Sequence, residues 1–268
     1  MSRDKRNLKR AVRRAGLERP AKAIYRRISP EYRRFLATHA RDLRDNRHLR
    51  LLMAFTLDEA ANCVDVGANR GEILAEMVGF APNGEHHAFE PIPALAEDLR
   101  RRFPSVHVHA LALSDSAGRR EFVHVADDDG YSGLHPRDLA ADHDLRCFEV
   151  EVARLDDVLP PDYDAALIKI DVEGAELAVL EGAIGTLERC RPDVWFEHGE
   201  GSAAYFGASS GDVWDLLCGR LRYRIFNADG EGPLDRQTFA SGTGVPMWTY
   251  LARDSERRRP SSSIRPRQ

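Results

Sequence analysis

The 268-residue sequence has no apolar run long enough to cross a bilayer, no cysteine pair at ligand spacing and almost no net charge, at -4. Its longest apolar stretches are short and broken by charged residues, so no membrane span is expected. Cys63, Cys147, Cys190 and Cys218 form no C-x-x-C pair. Scattered thiols of this kind argue against a disulfide-stapled secreted domain and fit a reducing compartment. The basic N-terminus lacks an apolar h-region, which excludes a secretory signal; Asp4 and Glu18 weaken an organelle-targeting reading, leaving the cytoplasm as the expected location. A hydrophobic content of 43% excludes a disordered chain.

The small net charge conceals a segmented one. Residues 1–50 carry 17 Lys and Arg against 5 Asp and Glu, residues 51–252 carry 16 against 36, and residues 253–268 carry 6 against 2. Three segments follow: a basic helical extension over 1–50, one folded domain over 51–252, and a basic tail over 253–268 without an apolar face. For the extension, solvated helices are the simpler account; contact with nucleic acid or an anionic surface is the competing one. The acidic core opposes a phosphate backbone, and no N-P-P-Y-like segment is present for a flipped base.

Within 51–252 the pattern reads strand, helix, strand, helix, strand. Leu51–Ala61 is expected as a helix, Cys63–Val66 as a buried strand, Glu72–Val78 as a helix, Glu85–Phe89 as a second strand and Pro93–Arg102 as a helix opened by its proline. Val106–Leu113 holds a third strand. Such an order predicts a parallel sheet covered on both faces. Arg120–Ala126 and Phe148–Ala153 are extended segments around a polar excursion or lid. Ala165–Ile170 and Asp193–Phe196 are buried strands, Ala175–Leu187 is helical with a break at Gly182 and Gly185, and Asp212–Leu217 is a further helix. Tyr223–Phe226 and Met247–Leu251 are the last, antiparallel strands.

Open sheets of this kind bind ligands beyond the carboxyl ends of their strands. Those ends carry Asp65, Glu90, Asp115, Asp171 and Glu197. Gly67 and Gly71 in DVGANRG allow a tight turn and close backbone approach. The spacing is not G-x-G-x-x-G, and an acidic strand end repels a pyrophosphate. A cationic, phosphate-free ligand suits it better, and S-adenosylmethionine meets both conditions. Glu90 is placed to accept ribose hydroxyls, as the equivalent acid does in nicotinamide dehydrogenases, so an NAD-dependent oxidoreductase remains a competitor. A non-catalytic ligand-binding protein is the second.

A further cluster is Lys169, Asp171, Glu173 and Glu176 in LIKIDVEGAELAVLEGA. Carboxylates crowding the end of a buried strand could anchor cofactor and substrate, activate an acceptor hydroxyl, or hold a divalent metal. Glu197 and His198 follow the next strand and are expected in the same crevice. His198 is a candidate general base, and Asp171, Glu197 and His198 are a candidate metal set. His86, His87, His107 and His109 lie within strands, where packing is their expected use.

DVGANRG, HAFEP, ALSDSAG, LIKIDVEGAELAVLEGA and RPDVWFEHG, in this order, resemble the FkbM family of S-adenosylmethionine-dependent methyltransferases. The resemblance implies a Rossmann-like class I methyltransferase fold, with a mostly parallel seven-stranded sheet and an antiparallel last strand. It also implies O-methylation of a hydroxyl on a small molecule such as a sugar or polyketide-type metabolite. By that resemblance Asp65, Gly67, Asn69 and Gly71 form the methionine-binding loop, Glu90 the ribose anchor, and Ala112, Leu113, Ser114 and Asp115 the adenine segment. Asp171, Glu173 and Gly174 adjoin the transfer site, and Tyr131, Ser132 and Gly133 form a substrate-side loop. Asp171 serves cofactor and catalysis alike, with His198 and Glu173 as further catalytic candidates. Arg70 departs from the family pattern, which has a small apolar residue there. Monomer and homodimer are both compatible with the sequence.

Overall fold

The computed structural model describes residues 30–126, 130, 132–135, 144–241 and 248–254, with side chains from residue 40 onward. The remainder of the extension, Tyr131 and the tail beyond Asp254 lie outside the described residues. Two compact units are distinguished, divided between His48 and Leu49. A single helix, α1 (Pro30–Thr56), carries the chain across that division. It is longer than expected because no proline or glycine interrupts residues 31–56. The change of charge near residue 50 therefore does not mark an element boundary.

From Leu49 onward the chain builds a seven-stranded sheet in the order β3-β2-β1-β7-β8-β10-β9. The strands are β1 (Asn62–Val66), β2 (His86–Phe89), β3 (Val106–His109), β7 (Ala165–Ile170), β8 (Asp193–His198), β9 (Tyr223–Asn227) and β10 (Trp248–Asp254). The first five are mutually parallel, and β10 runs antiparallel between β8 and β9. Strand β1 is an interior strand, buried from Cys63 to Val66, which explains why that stretch is apolar apart from Asp65.

Both faces of the sheet are covered. One is packed around Val64, Val66, Ile168, Ile170, Val194 and Phe196. The other buries Cys63, Leu167 and Trp195 against Leu49 and Met53 of α1 and Met77 of α2 (Glu72–Phe80). Burial pushes the Cys63 thiol up to about 12, with the Asp65 charge adding to it, so this cysteine is inert packing. Helix α3 (Pro93–Arg102) closes the β2–β3 side through Leu99, with proline in its first turn as expected.

The excursion between β3 and β7 is a second sheet, β4 (Ala112–Leu113), β5 (Gly118–Val125) and β6 (Leu145–Ala153), with β5 and β6 antiparallel. After the short helix α4 (Leu155–Val158) and β7, the helical segment divides into α5 (Glu176–Glu181) and α6 (Ile184–Cys190). Gly182 marks the break: a Cβ there would stand 2.0 Å from the Ser114 carbonyl oxygen. Helices α7 (Glu200–Ala204), α8 (Ser210–Trp214) and a π-helical turn, Asp215–Arg220, lead into β9, and α9 (Arg236–Ser241) precedes β10. Ser209 caps α8 in a reciprocal capping box with Asp212.

Candidate active site

The turn after β1 follows from two glycines with left-handed backbone. Gly67 has φ 74°, and a Cβ on it would lie 1.9 Å from the Asp171 carbonyl oxygen. No other residue fits, because the turn lies directly on the backbone leaving β7. Gly71 has φ 71°, and its missing side chain admits Leu99 and Phe103, which seats α2 against α3. Asn69 also takes positive φ, at 46°, a conformation asparagine tolerates better than most residues. Its amide donates to Glu90 Oε2 at 2.8 Å.

Glu90 sits just beyond β2. Its Oε1 accepts the Ile92 amide at 2.8 Å, so each carboxylate oxygen holds one backbone N–H and keeps a further lone pair. The residue is 4% exposed, and burial lifts its carboxyl to about 7 against the pull of those two N–H groups. Ionised, it is an acceptor-only group, which at this place suits the two hydroxyls of a ribose. The glycine turn beside it leaves room for a ligand backbone and no room for a side chain. These residues fit S-adenosylmethionine.

Asp65 is fully buried beneath the turn, so it acts through Lys169 rather than at the crevice. Lys169, on β7 in register with Asp65, donates to the Gly67 carbonyl at 2.7 Å and stands 3.4 Å from both Asp65 Oδ1 and Asp171 Oδ2. Burial opposes its charge, but Asp171, Asp65 and Glu197 outweigh burial and raise its pKa. Burial raises that of Asp65, against the pull of Lys169. The ammonium thus bolts the glycine turn to β7, a role spacing alone does not reveal.

Asp171 and Glu197 lie close to this ammonium, and Glu173 lies close to Glu197. The charge of Asp171, then burial and the charge of Glu173, hold the Glu197 carboxyl well above its usual range. Glu173 has φ 61°. Gly174 turns the chain so closely over Ser202 that a Cβ would meet the Ser202 carbonyl at 2.6 Å. Gly133 reaches the same place, since a Cβ on it would lie 3.7 Å from the Glu173 Cβ. Ser132 is buried, and its hydroxyl accepts the Val125 amide at 3.0 Å, which holds that loop down. Two residues past Gly133, His135 stacks on Tyr205 and meets Phe206 edge-on, rings that follow Ser202 closely in the chain. Sequence reading missed these rings because their pairing joins segments seventy residues apart.

Two expectations are corrected. Neighbouring strand residues alternate faces, so Glu197 and His198 cannot both enter the crevice. His198 is fully buried on the opposite face, stacked on Phe239, with Nε2 2.8 Å from the Ser210 hydroxyl and Nδ1 3.9 Å from Glu176 Oε2. Ser210 in turn donates to Glu200. His198 is a brace joining β8 to α5, α7 and α8, and it is not placed to act as the base. The set Asp171, Glu197 and His198 therefore does not assemble as a metal site, and Lys169 already supplies positive charge to Asp171.

Ser114 and Asp115 follow β4. The Ser114 hydroxyl donates to Asp115 Oδ1 at 3.0 Å, and Ser116 and Arg120 donate to the same oxygen. Those bonds, Ser116 first, hold the partly exposed Asp115 carboxyl below its ordinary value.

A mostly parallel sheet with one reversed strand inserted before its end, carrying a glycine turn and a buried acid at adjacent strand ends, is the class I, Rossmann-like methyltransferase fold. A family model of the methyltransferase FkbM domain matches residues 65–225, and the chain belongs to that family. Among solved structures, methyltransferase FkbM from Methylobacillus flagellatus is 19% identical, with a TM-score of 0.46 over 74% of this chain. The match spans 44% of that protein, less than half its length. A TehB-like SAM-dependent methyltransferase from Corynebacterium glutamicum is 13% identical, covering 87% of this chain and 99% of that one, at 0.44. Precorrin-6y C5,15-methyltransferase from Geobacter metallireducens is 13% identical, covering 78% and 87%, at 0.42. The curated proteins include no match. Among the described residues, no helix is long and apolar enough to cross a membrane.

Proposed function

We propose that this chain methylates a hydroxyl oxygen on a small molecule, of sugar or polyketide type, in the cytoplasm. The observation that carries the reading is the carboxylate group of Asp171, Glu173 and Glu197 beside the glycine turn and Lys169. Glu90 would hold the ribose, the turn at Gly67 and Asn69 the methionine portion, and Ser114 with Asp115 the adenine side. Bound S-adenosylmethionine supplies an electrophilic methyl group. Asp171 is the base in this reading: its side chain is partly exposed, whereas the Glu197 carboxyl behind it is pushed well above its usual range by the charge of Asp171 and by burial. Gly133, Tyr205 and Phe206 line the acceptor side, where aromatic faces suit a sugar ring or a polyketide skeleton. The four free thiols support a reducing compartment.

The test is methyl transfer from isotopically labelled S-adenosylmethionine to a panel of polyols, sugars and hydroxylated polyketides, with products read by mass spectrometry. An O-methyl product is expected, with kcat lowered about 10²–10⁴-fold by Asp171→Asn. An N- or C-methyl product, or an unchanged kcat in the variant, refutes the assignment.

A further inference from the structure

The opposite end of the same strands holds a cluster that methyl transfer does not use. Strands β2 and β3 pair in parallel with His87 beside His107 and Phe89 beside His109, so three imidazoles share one face of the sheet edge. His87 lies 4.8 Å from His107 and 5.2 Å from His109, centre to centre, with Tyr163 edge-on at 4.9 Å. Glu85, immediately before β2, turns its carboxylate into the group: Oε1 is 3.2 Å from His107 Nε2 and 3.6 Å from His87 Nε2. The three atoms all lie within 4.8 Å of one another.

We propose that Glu85, His87 and His107 form a binding site for a borderline divalent cation of the zinc type. His87 makes the argument. It is 4% exposed, and its Nε2 is buried without a hydrogen-bond partner among the described residues while facing the Glu85 carboxylate and His107. A buried ring nitrogen left in that condition is costly unless something fills the gap. Its other nitrogen, Nδ1, is 3.0 Å from His109 Nε2. With Nδ1–H donating to His109, the Nε2 lone pair is directed at the gap, the arrangement in which a second imidazole orients a metal-binding one.

The distances agree with the chemistry. A tetrahedral zinc ion with ligands at about 2.0–2.1 Å sets ligand atoms roughly 3.3–3.4 Å apart. Two of the three separations, 3.2 and 3.6 Å, bracket that value, and the third, between the two imidazoles, lies within 4.8 Å. Two nitrogens and one carboxylate oxygen favour zinc-like ions over calcium or magnesium, which prefer all-oxygen sets. The side chains of Glu85 and His107 are about half exposed, which provides an entry path and leaves a fourth position for water.

The site would serve the fold rather than the reaction. His87 precedes Glu90 by three residues, about 10 Å along the strand. An ion here would clamp edge strand β3 to β2. The end of β3 bears on the cofactor side, because the His109 carbonyl accepts the Glu90 amide at 3.0 Å.

The full chain, stripped by chelator, would be titrated with zinc by calorimetry and with cobalt by visible absorption, alongside Glu85→Gln, His107→Ala and the double variant. Binding of one ion per chain, a tetrahedral cobalt spectrum and a zinc-dependent rise in Tm are expected. Each single variant should bind at least 10-fold more weakly, with S-adenosylhomocysteine binding retained as the check on folding. Absence of zinc binding at 100 µM overturns the site, as does equal binding by the double variant, which would place the ion elsewhere.

Discussion

Replacing Glu90 with glutamine sets stability against cofactor binding, with opposite signs. In the folded protein the Glu90 carboxyl titrates at about 7, against 4.5 ordinarily. A raised acid contributes stability that is complete below its unfolded pKa and is lost as pH rises through the folded one. At 1.36 kcal/mol per pH unit, the full loss is about 3 kcal/mol, of which about 2.5 falls between pH 5 and pH 8. Glutamine does not titrate. Its single carbonyl oxygen can accept from Asn69 or Ile92 but not both, much as the protonated acid does, so the two proteins should be close in stability at pH 5. At pH 8 Glu90→Gln should be more stable by about 2 kcal/mol, a rise in Tm of roughly 4–8 °C for a domain of this size. The same substitution removes a charged acceptor from two ribose hydroxyls, so S-adenosylhomocysteine should bind about 10–100-fold more weakly at pH 8. In the wild type that affinity should strengthen as pH rises through 7. Thermal unfolding at pH 5 and 8, with calorimetry for the ligand, reads both effects. A stability difference that does not change with pH would refute the reasoning, as would a variant that binds normally.

Lys169→Met should destabilise the fold by about 3–5 kcal/mol, because Asp65 is fully buried and loses its counter-charge; adding Asp65→Asn should recover more than half of that in denaturant titrations. Gly67→Ala should lower Tm and abolish S-adenosylhomocysteine binding together, since its Cβ would overlap the Asp171 carbonyl; a variant that still binds would show that the turn can move aside. His198→Leu should cost about 1–3 kcal/mol through the buried Glu176 and Ser210 it leaves behind, while the pH profile of kcat keeps its shape. A lost pH limb in that variant would restore His198 as the base.

Much of the sheet was legible because its strands are four- to six-residue apolar runs bounded by turn residues, as in Ala165–Ile170, and because Pro93 marks its own helix. The glycine turn after β1 and the buried acid after β2 were legible for the same reason: Gly67 and Glu90 are local signals at strand ends. His198 was misread although the information was present, since strand alternation already separates it from Glu197. Other features depend on pairing that one sequence does not display. The placing of His87 beside His107 needs the β2–β3 register, and the Tyr163 hydroxyl, donating toward the carbonyls of Cys63 and Glu85, joins residues far apart in the chain. Lys169 was visible as a charge within a strand beside Asp171, but its pairing with Asp65 needs the β1–β7 register.

The reversed strand has a consequence for the order of assembly. β10 separates β8 from β9, so β9 has no neighbour in the sheet until Trp248–Asp254 has been synthesised. On the ribosome, β8 would wait as an open edge while some fifty further residues are added, at a time when the cofactor end of β1 and β2 can already close. Completion of the sheet therefore waits for the C-terminal strand, and a chain halted before Trp248 would expose the edge of β8 to pairing with other chains.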